Sequence, residues 1–245
     1  PHIVSLFTDC RYSSAITPSR EHDHERIGQV GNQGGLAFWA HPALYAPPYA
    51  EKNRFNSGTL DGLLDYLGGF LGRYDFLLGI EFTQMCVDGV PGSGRPRPEP
   101  GPILDWLLNA HYRQHDLWLF GNDDNHQAAV ADNAVFTWVL ASELTLEAVR
   151  AALTNGHLFA GKRAGIMPEV KRISVDEETQ SIRLEIEKCD KVIWIKNGQE
   201  HSEGLQFNYA GLTDSIVRFE MISDRTRFYS QAFYIGKHKT DGRFE

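Results

Sequence analysis

The spacing of apolar residues changes character partway along the chain, and this change limits the fold more than any other feature. In the first part, short apolar runs such as residues 36–40 alternate with stretches of helical spacing such as residues 60–71. This alternation is typical of parallel α/β folds. Later segments such as residues 181–187 alternate strictly between polar and apolar side chains, which predicts antiparallel strands. We therefore expect an α/β portion over residues 1–165 and a small antiparallel β domain over residues 166–245.

The composition excludes several classes of protein. The 245 residues include 24 Lys and Arg against 32 Asp and Glu, which gives a net charge of −8. General nucleic-acid binders usually carry a basic surplus, so no such partner is expected. No apolar run approaches the ~20 residues that a membrane-spanning helix needs, so no membrane partner is expected either. The three cysteines, Cys10, Cys86 and Cys189, are too scattered for a disulfide framework and fit a reducing compartment such as the cytoplasm.

Polar residues that suit a metal ion stand at the ends of three predicted apolar strands. His41 follows the run 36–40, Glu81 ends a second run, and Asp124 and His126 follow a third. The carboxyl ends of strands in a parallel α/β barrel meet at one face, and an Asp-x-His pair on extended backbone points to one side. Carboxylate and imidazole together bind zinc, manganese or iron. The sequence therefore predicts a divalent-metal hydrolase site, with Asp124 and His126 as its clearest ligands.

Each of these residues also has a purely structural explanation. A single His after a strand is more often a hydrogen-bonded loop residue, and Glu81 could be a salt-bridged strand terminus. The run Asn-Asp-Asp-Asn at residues 122–125 could be ordinary turn chemistry. Three such strand ends in one α/β frame favour the metal site. Asn122 and Asp123 would then orient the ligands through hydrogen bonds.

Several short motifs, taken in order, resemble the PHP (polymerase and histidinol phosphatase) domain family. Residues 34–42, Gly-Gly-Leu-Ala-Phe-Trp-Ala-His-Pro, are similar to its GG…AHP strand, and residues 74–81 are similar to its yD…GiE strand. Residues 121–126 resemble the GSDxH segment in which Asp and His bind metal. Residues 137–159 and the β-rich tail resemble elements that follow the barrel in many PHP-like phosphoesterases. The resemblance covers most of the chain.

This resemblance implies a fold and an activity. The fold would be a distorted (β/α)7 PHP-type barrel followed by a small antiparallel β-sandwich-like domain. The barrel would hold two or three divalent metal ions, which could be manganese, iron or zinc. The activity would be hydrolysis of phosphate esters, with a small phosphorylated molecule or a nucleotide as substrate and a metal-bound hydroxide as nucleophile.

The resemblance also implies roles for individual residues. Four of them would be metal ligands: His2, His41, Asp124 and His126. Asp124 and His126 would be catalytic as well, and Glu81 would line the substrate pocket. In the Gly- and Pro-rich loop, Arg95 and Arg97 could contact a substrate phosphate, although an exposed basic loop is the alternative interpretation.

One part of the family pattern is missing from the sequence. PHP proteins open with a strand that carries His-x-His, and no such segment precedes His2. Because the chain begins at Pro1 without Met, we expect a leading segment, a second polypeptide that supplies the N-terminal strands, or a degenerate barrel. His22 and His24 also spell His-x-His, but the polar stretch around them, residues 19–26, predicts a solvated loop or helix face.

Three functions remain open at this point. The first is a metal-dependent phosphoesterase, provided that the missing N-terminal ligands are supplied. The second is a non-catalytic PHP-like binding or scaffold domain. The third is a C–N hydrolase on a similar barrel.

Overall fold

Two compact units make up the chain, Pro1–Phe120 and Gly121–Glu245. The computed structural model describes the following parts of them: residues 2–9, 20–42, 60–83, 104–105, 108–109, 116–123, 135–163, 165–224 and 226–236. None of the described helices is long and apolar enough to cross a membrane.

A four-stranded sheet with the order β1-β2-β3-β4 forms the basis of the first unit. Its strands are β1 (His2–Leu6), β2 (Leu36–Ala40), β3 (Leu77–Thr83) and β4 (Trp118–Asn122). β2 and β3 are parallel, as predicted. β1 is antiparallel to β2, with His2 opposite Ala40 and Leu6 opposite Leu36. The expected parallel arrangement is therefore wrong for β1, because a continuous apolar run indicates burial but not the direction of the neighbouring strand.

Helix α1 (Arg20–Asn32) leads from β1 towards β2. Its buried residues Asp23, Ile27 and Val30 have the i, i+4, i+7 spacing of one helix face. The N–H of Gly35 donates to the carbonyl of Val30 at 2.9 Å, just before β2 begins. This backbone bond closes the helix in a tight turn and directs the chain into the sheet.

Helix α2 (Leu60–Leu71) packs against the sheet through aromatic contacts. Trp39 of β2 lies edge-on to Phe70 of α2, with ring centroids 5.3 Å apart. Successive strand residues point to opposite faces, so Phe38 lies on the other side of the sheet. There it stacks on Phe120 of β4, with ring centroids 4.2 Å apart and planes at 7°. β2 is therefore buried on both faces of the sheet.

The predicted barrel is not shown by the residues that the structure describes. These residues are mostly β-sheet and include three helices. A (β/α)7 barrel repeats parallel strands joined by helices, whereas the four-stranded sheet begins with an antiparallel strand. The observed architecture over this part of the chain is a mixed sheet with helices packed against it.

The described residues of the second unit form two antiparallel sheets and one helix. The larger sheet comprises β5 (Val135–Val139), β6 (Leu158–Lys162), β9 (Lys191–Lys196), β10 (Gln199–Glu203), β12 (Ser215–Ser223), β13 (Thr226–Ser230) and β14 (Phe233–Ile235). The smaller sheet comprises β7 (Glu169–Asp176), β8 (Ser181–Glu187) and β11 (Gln206–Asn208). Helix α3 spans Leu146–Thr154.

One hydrophobic core joins the two sheets of this unit. It includes Ile182 and Leu184 from the smaller sheet, and Trp194, Phe219 and Phe228 from the larger one. Ile182, Leu184 and Phe219 come from strands in which polar and apolar residues alternate in sequence. The antiparallel β architecture expected for this region is therefore present, and it has the form of a sandwich.

Strands β5 and β6 belong to this sandwich although they precede residue 165. β6 pairs with β13, with Gly161 opposite Phe228, and β5 pairs with β6. The two compact units divide between Phe120 and Gly121. Helix α3 lies between β5 and β6 in the sequence, so strand and helix alternate here as they do in the first unit. For this reason the sequence pattern alone groups β5, α3 and β6 with the α/β portion.

Candidate functional site

Two histidines meet at one end of the first sheet. His2 opens β1, and His41 directly follows β2. The antiparallel register places His2 opposite Ala40, so the start of β1 lies beside the end of β2. Nδ1 of His2 is 3.0 Å from Nε2 of His41, and the rings meet edge-on with centroids 4.9 Å apart. The fold thus brings together two of the predicted ligands.

The two imidazoles have different surroundings. His41 is 4% exposed, whereas His2 is exposed to solvent. The backbone of His41 has a φ of 36°, in the left-handed region that residues other than glycine seldom adopt. Such a conformation costs about 1–3 kcal/mol and persists only when the surrounding structure enforces it. The pair therefore combines a rigidly held, buried imidazole with an accessible one.

Two nitrogens 3.0 Å apart fit neighbouring ligand positions on one cation. At a metal–nitrogen distance of about 2.0–2.1 Å they would subtend about 90–95°, close to the octahedral angle. The same separation also suits a hydrogen bond, in which one ring donates and the other accepts. The donor chemistry and the spacing of this pair are therefore compatible with a divalent metal.

Glu81 lies in the same row of the sheet as His2. Trp39 of β2 pairs with Ile80 of β3, which places Ala40 beside Glu81. Neighbouring residues across paired strands project to the same face, so His2, Ala40 and Glu81 share one face. Glu81 is 2% exposed, and β3 continues beyond it to Thr83. Its predicted position at the end of the strand is therefore wrong, and its role in substrate binding stays a prediction.

Asp123 directly follows β4 and binds the backbone of β5. β4 ends at Asn122, and Oδ1 of Asp123 accepts a hydrogen bond of 2.7 Å from the N–H of Val135. This bond gives Oδ1 of Asp123 a structural role at the start of β5. The predicted ligands Asp124 and His126 lie outside the described residues, so the ligand-orienting roles of Asn122 and Asp123 stay predictions.

The remaining predicted site residues fall outside the described residues: Arg95, Arg97, Asp124 and His126. Among the residues that are described, no group of three or more His, Cys, Asp or Glu side chains is arranged to hold a metal. The described part of the site therefore contributes the imidazole pair, and the roles of these four residues stay predictions.

The segment His22-Asp23-His24 lies on α1 rather than in a loop. Asp23 is 1% exposed, and its Oδ2 accepts a hydrogen bond of 2.7 Å from the hydroxyl of Tyr66. His24 stacks on Phe70, with centroids 4.1 Å apart, and its Nδ1 lies 3.0 Å from the hydroxyl of Tyr74. The predicted helix face is confirmed, but its description as solvated is wrong for Asp23.

A sequence signal for the burial of Asp23 exists. Ile27 and Val30 follow it at positions i+4 and i+7, so the three residues share one helix face. The high charge of the surrounding stretch hides this pattern, because the charged residues occupy the other faces of the same helix.

No protein-family model and no curated protein matches the sequence. Among solved structures, the chain is similar to a two-domain protein from Bacteroides vulgatus that contains a predicted PHP-like metal-dependent phosphoesterase. The identity is 15% and the TM-score is 0.39, over 87% of this chain and 65% of that protein. The chain thus spans less than two thirds of its neighbour's length. A TM-score of this size does not establish a shared fold.

Proposed function

We propose that the chain is a metal-dependent phosphoesterase and that its first unit supplies part of the divalent-metal site. The observation that carries this proposal is the 3.0 Å approach of His2 Nδ1 to His41 Nε2 at the end of the sheet. Two imidazole nitrogens converging from different strands are what a site for manganese, iron or zinc requires. The order of the sequence motifs supports phosphate esters as the substrate class.

Each residue of the proposed site has a distinct task. His41 is buried and rigid, so it fixes the position of the site relative to β2. His2 is exposed and supplies the side that faces incoming solutes. Asp124 and His126 are proposed to complete the ligand set with a carboxylate and a third imidazole. A bound divalent cation supplies Lewis-acid chemistry, polarising a phosphoryl oxygen and acidifying water.

The substrate would be held by the chain's own charged groups. Arg95 and Arg97 are proposed to contact the phosphate, since guanidinium groups bind phosphate oxygens in a bidentate manner. Glu81, in the row of His2, is proposed to accept a hydrogen bond from a hydroxyl of the substrate. These assignments suit a small phosphorylated molecule or a nucleotide.

Metal binding by the metal-free chain tests the proposal most directly. Titration calorimetry with manganese and zinc chloride is expected to show binding to the wild type. His41→Ala and Asp124→Ala are each expected to weaken binding at least about tenfold, at the lower end of the effect seen for residues around metal sites. His157→Ala, which removes an exposed His of the second unit, is the matched control. Absence of binding by the wild type would overturn the proposal.

A substrate panel with added manganese then separates the three possible functions. Turnover of phosphomonoesters or phosphodiesters that is lost in Asp124→Ala supports the phosphoesterase. Cleavage of amides in preference to phosphate esters would indicate a C–N hydrolase. Metal binding without any turnover would indicate a binding or scaffold domain.

A further inference from the structure

We propose that Asp23 and Tyr66 are positioning residues for the metal site, acting on His41 through Trp39. This inference rests on the proposed function, because it assigns these two residues a role in preparing a metal ligand. Neither residue is on β1 or β2. The pair is connected to His41 in three steps. A hydrogen bond joins Asp23 to Tyr66, a ring contact joins Tyr66 to Trp39, and two residues of backbone lead from Trp39 to His41.

The hydrogen bond fixes Tyr66 relative to α1. The hydroxyl of Tyr66 donates to Oδ2 of Asp23 at 2.7 Å, the usual length of an O–H···O hydrogen bond. Asp23 is 1% exposed and occupies the apolar face of α1, beside Ile27. A buried carboxylate is costly unless it is hydrogen-bonded, and an apolar residue would fill the same position without that cost. Packing alone therefore does not account for a carboxylate at this position.

The ring of Tyr66 packs against the indole of Trp39, so a shift of Tyr66 changes the packing around Trp39. The two ring centroids are 6.0 Å apart at 45°, and Phe70 holds the indole from another side at 5.3 Å and 89°. Trp39 is 1% exposed, and its Nε1 has no hydrogen-bond acceptor among the described residues. The rings of Tyr66 and Phe70 that pack against the indole therefore help to hold it in place.

His41 lies two residues after Trp39, so the backbone at His41 is held in part by the packing of Trp39. His41 has a φ of 36°, a conformation that relaxes to the extended or helical region unless its neighbours are held. Trp39 is the last large buried side chain of β2 before this point. When Trp39 shifts, His41 can relax, and its Nε2 then moves away from Nδ1 of His2.

A set of three variants separates this role from ordinary stabilisation. Tyr66→Phe and Asp23→Asn each remove or weaken the hydrogen bond but keep a side chain of similar size. Tyr74→Phe is the matched control. It removes a hydroxyl that lies 3.0 Å from Nδ1 of His24, between α1 and the residues that follow α2. The ring of Tyr74 contacts Phe70, and no ring contact joins it to Trp39 among the described residues.

Two measurements are made on each variant. The first is manganese affinity by calorimetry. Tyr66→Phe and Asp23→Asn are expected to weaken it about tenfold, whereas Tyr74→Phe stays within about twofold of the wild type. The second, on the metal-free chain, is the nuclear Overhauser effect between the ring protons of His2 and His41. It should weaken in the first two variants and persist in Tyr74→Phe.

The manganese affinities and ring-to-ring signals of the variants either support or overturn the inference. Wild-type affinity and an unchanged ring-to-ring signal in Tyr66→Phe would overturn the inference, as would an equal loss in Tyr74→Phe. If Asp23→Asn does not fold, Tyr66→Phe still decides the question. If the wild type binds no metal, the proposed function fails, while the metal-free signal still reports whether Tyr66 positions His41.

Discussion

Gly79 of β3 provides a test in which the structure and simple residue propensity predict opposite signs. Its φ is not in the left-handed region, since it is not among the described glycines with positive φ. On propensity alone, replacing such a glycine by alanine stabilises a protein by about 0.4–1 kcal/mol, because the unfolded chain loses freedom. In the structure, however, a methyl group on Gly79 would collide with the backbone carbonyl of Trp118 on β4.

The collision should outweigh the entropic gain. The obstructing atoms of Trp118 belong to the backbone and cannot move aside by a change of rotamer. Overpacking of this kind typically costs about 1–3 kcal/mol. We therefore expect Gly79→Ala to lower the free energy of unfolding of the first unit by about 1–2 kcal/mol after the entropic gain is subtracted. Separation of β3 from β4 would also disturb the stack of Phe38 on Phe120.

The assay must report on the first unit by itself, because a chain with two compact units need not unfold in one step. Hydrogen exchange of the β2 and β3 backbone amides meets this need, since it measures the opening free energy locally. Gly69→Ala is the matched control: Gly69 is an exposed glycine within α2, with nothing within 4 Å of the added methyl group. It should stabilise α2 by about 0.5–1 kcal/mol. Slower exchange of the β3 amides in Gly79→Ala would refute the reasoning.

Two further predictions concern the second unit. Thr145→Ala should lower the free energy of unfolding of this unit by about 1 kcal/mol in urea, because Oγ1 of Thr145 accepts a hydrogen bond from the N–H of Ala148 and caps α3. Thr145→Ser should leave the stability unchanged. Equal losses in both variants would contradict the capping role. Hydrogen bonds from Lys171 and Lys188 lower the pKa of Glu169 from 4.5 to about 2. The contribution of Glu169 to stability is therefore complete above pH 4.5 and disappears as the pH falls towards about 2. Carboxyl titration by NMR should show this midpoint, and Lys171→Met should raise it; a wild-type midpoint near 4.5 would contradict the ion-pair geometry.

The sequence was most informative where one local rule determines the outcome. Residues 36–40 are all apolar, and they form the fully buried β2. Asn197-Gly198 predicts a tight turn, and both residues have the positive φ that such a turn requires, 49° and 81°. Each of these predictions depends on a few neighbouring residues, so no distant contact was needed to make it.

The sequence was least informative where strand pairing, side-chain partners or strand ends depend on residues far away in the chain. β5 has the pattern of a strand in either unit, and only its pairing with β6 places it in the sandwich. Asp23 lies in a charged stretch, and its hydrogen-bond partner Tyr66 is 43 positions away. Glu81 was recognised as a strand residue, but the end of β3 depends on its neighbours in the sheet. Periodicity identifies an element and its faces, while partners and register come from tertiary contacts.

The direction of β1 decides whether two of the predicted ligands, His2 and His41, can lie close together. In a parallel sheet, His2 at the start of β1 and His41 after the end of β2 would lie at opposite ends. A five-residue strand rises about 3.3 Å per residue, so the two imidazoles would be roughly 16 Å apart and could not share a cation. The parallel arrangement and the pairing of these two ligands were therefore incompatible expectations. The antiparallel register, with His2 opposite Ala40, removes the conflict. The departure of β1 from the parallel pattern is what brings the two histidines within 3.0 Å of each other.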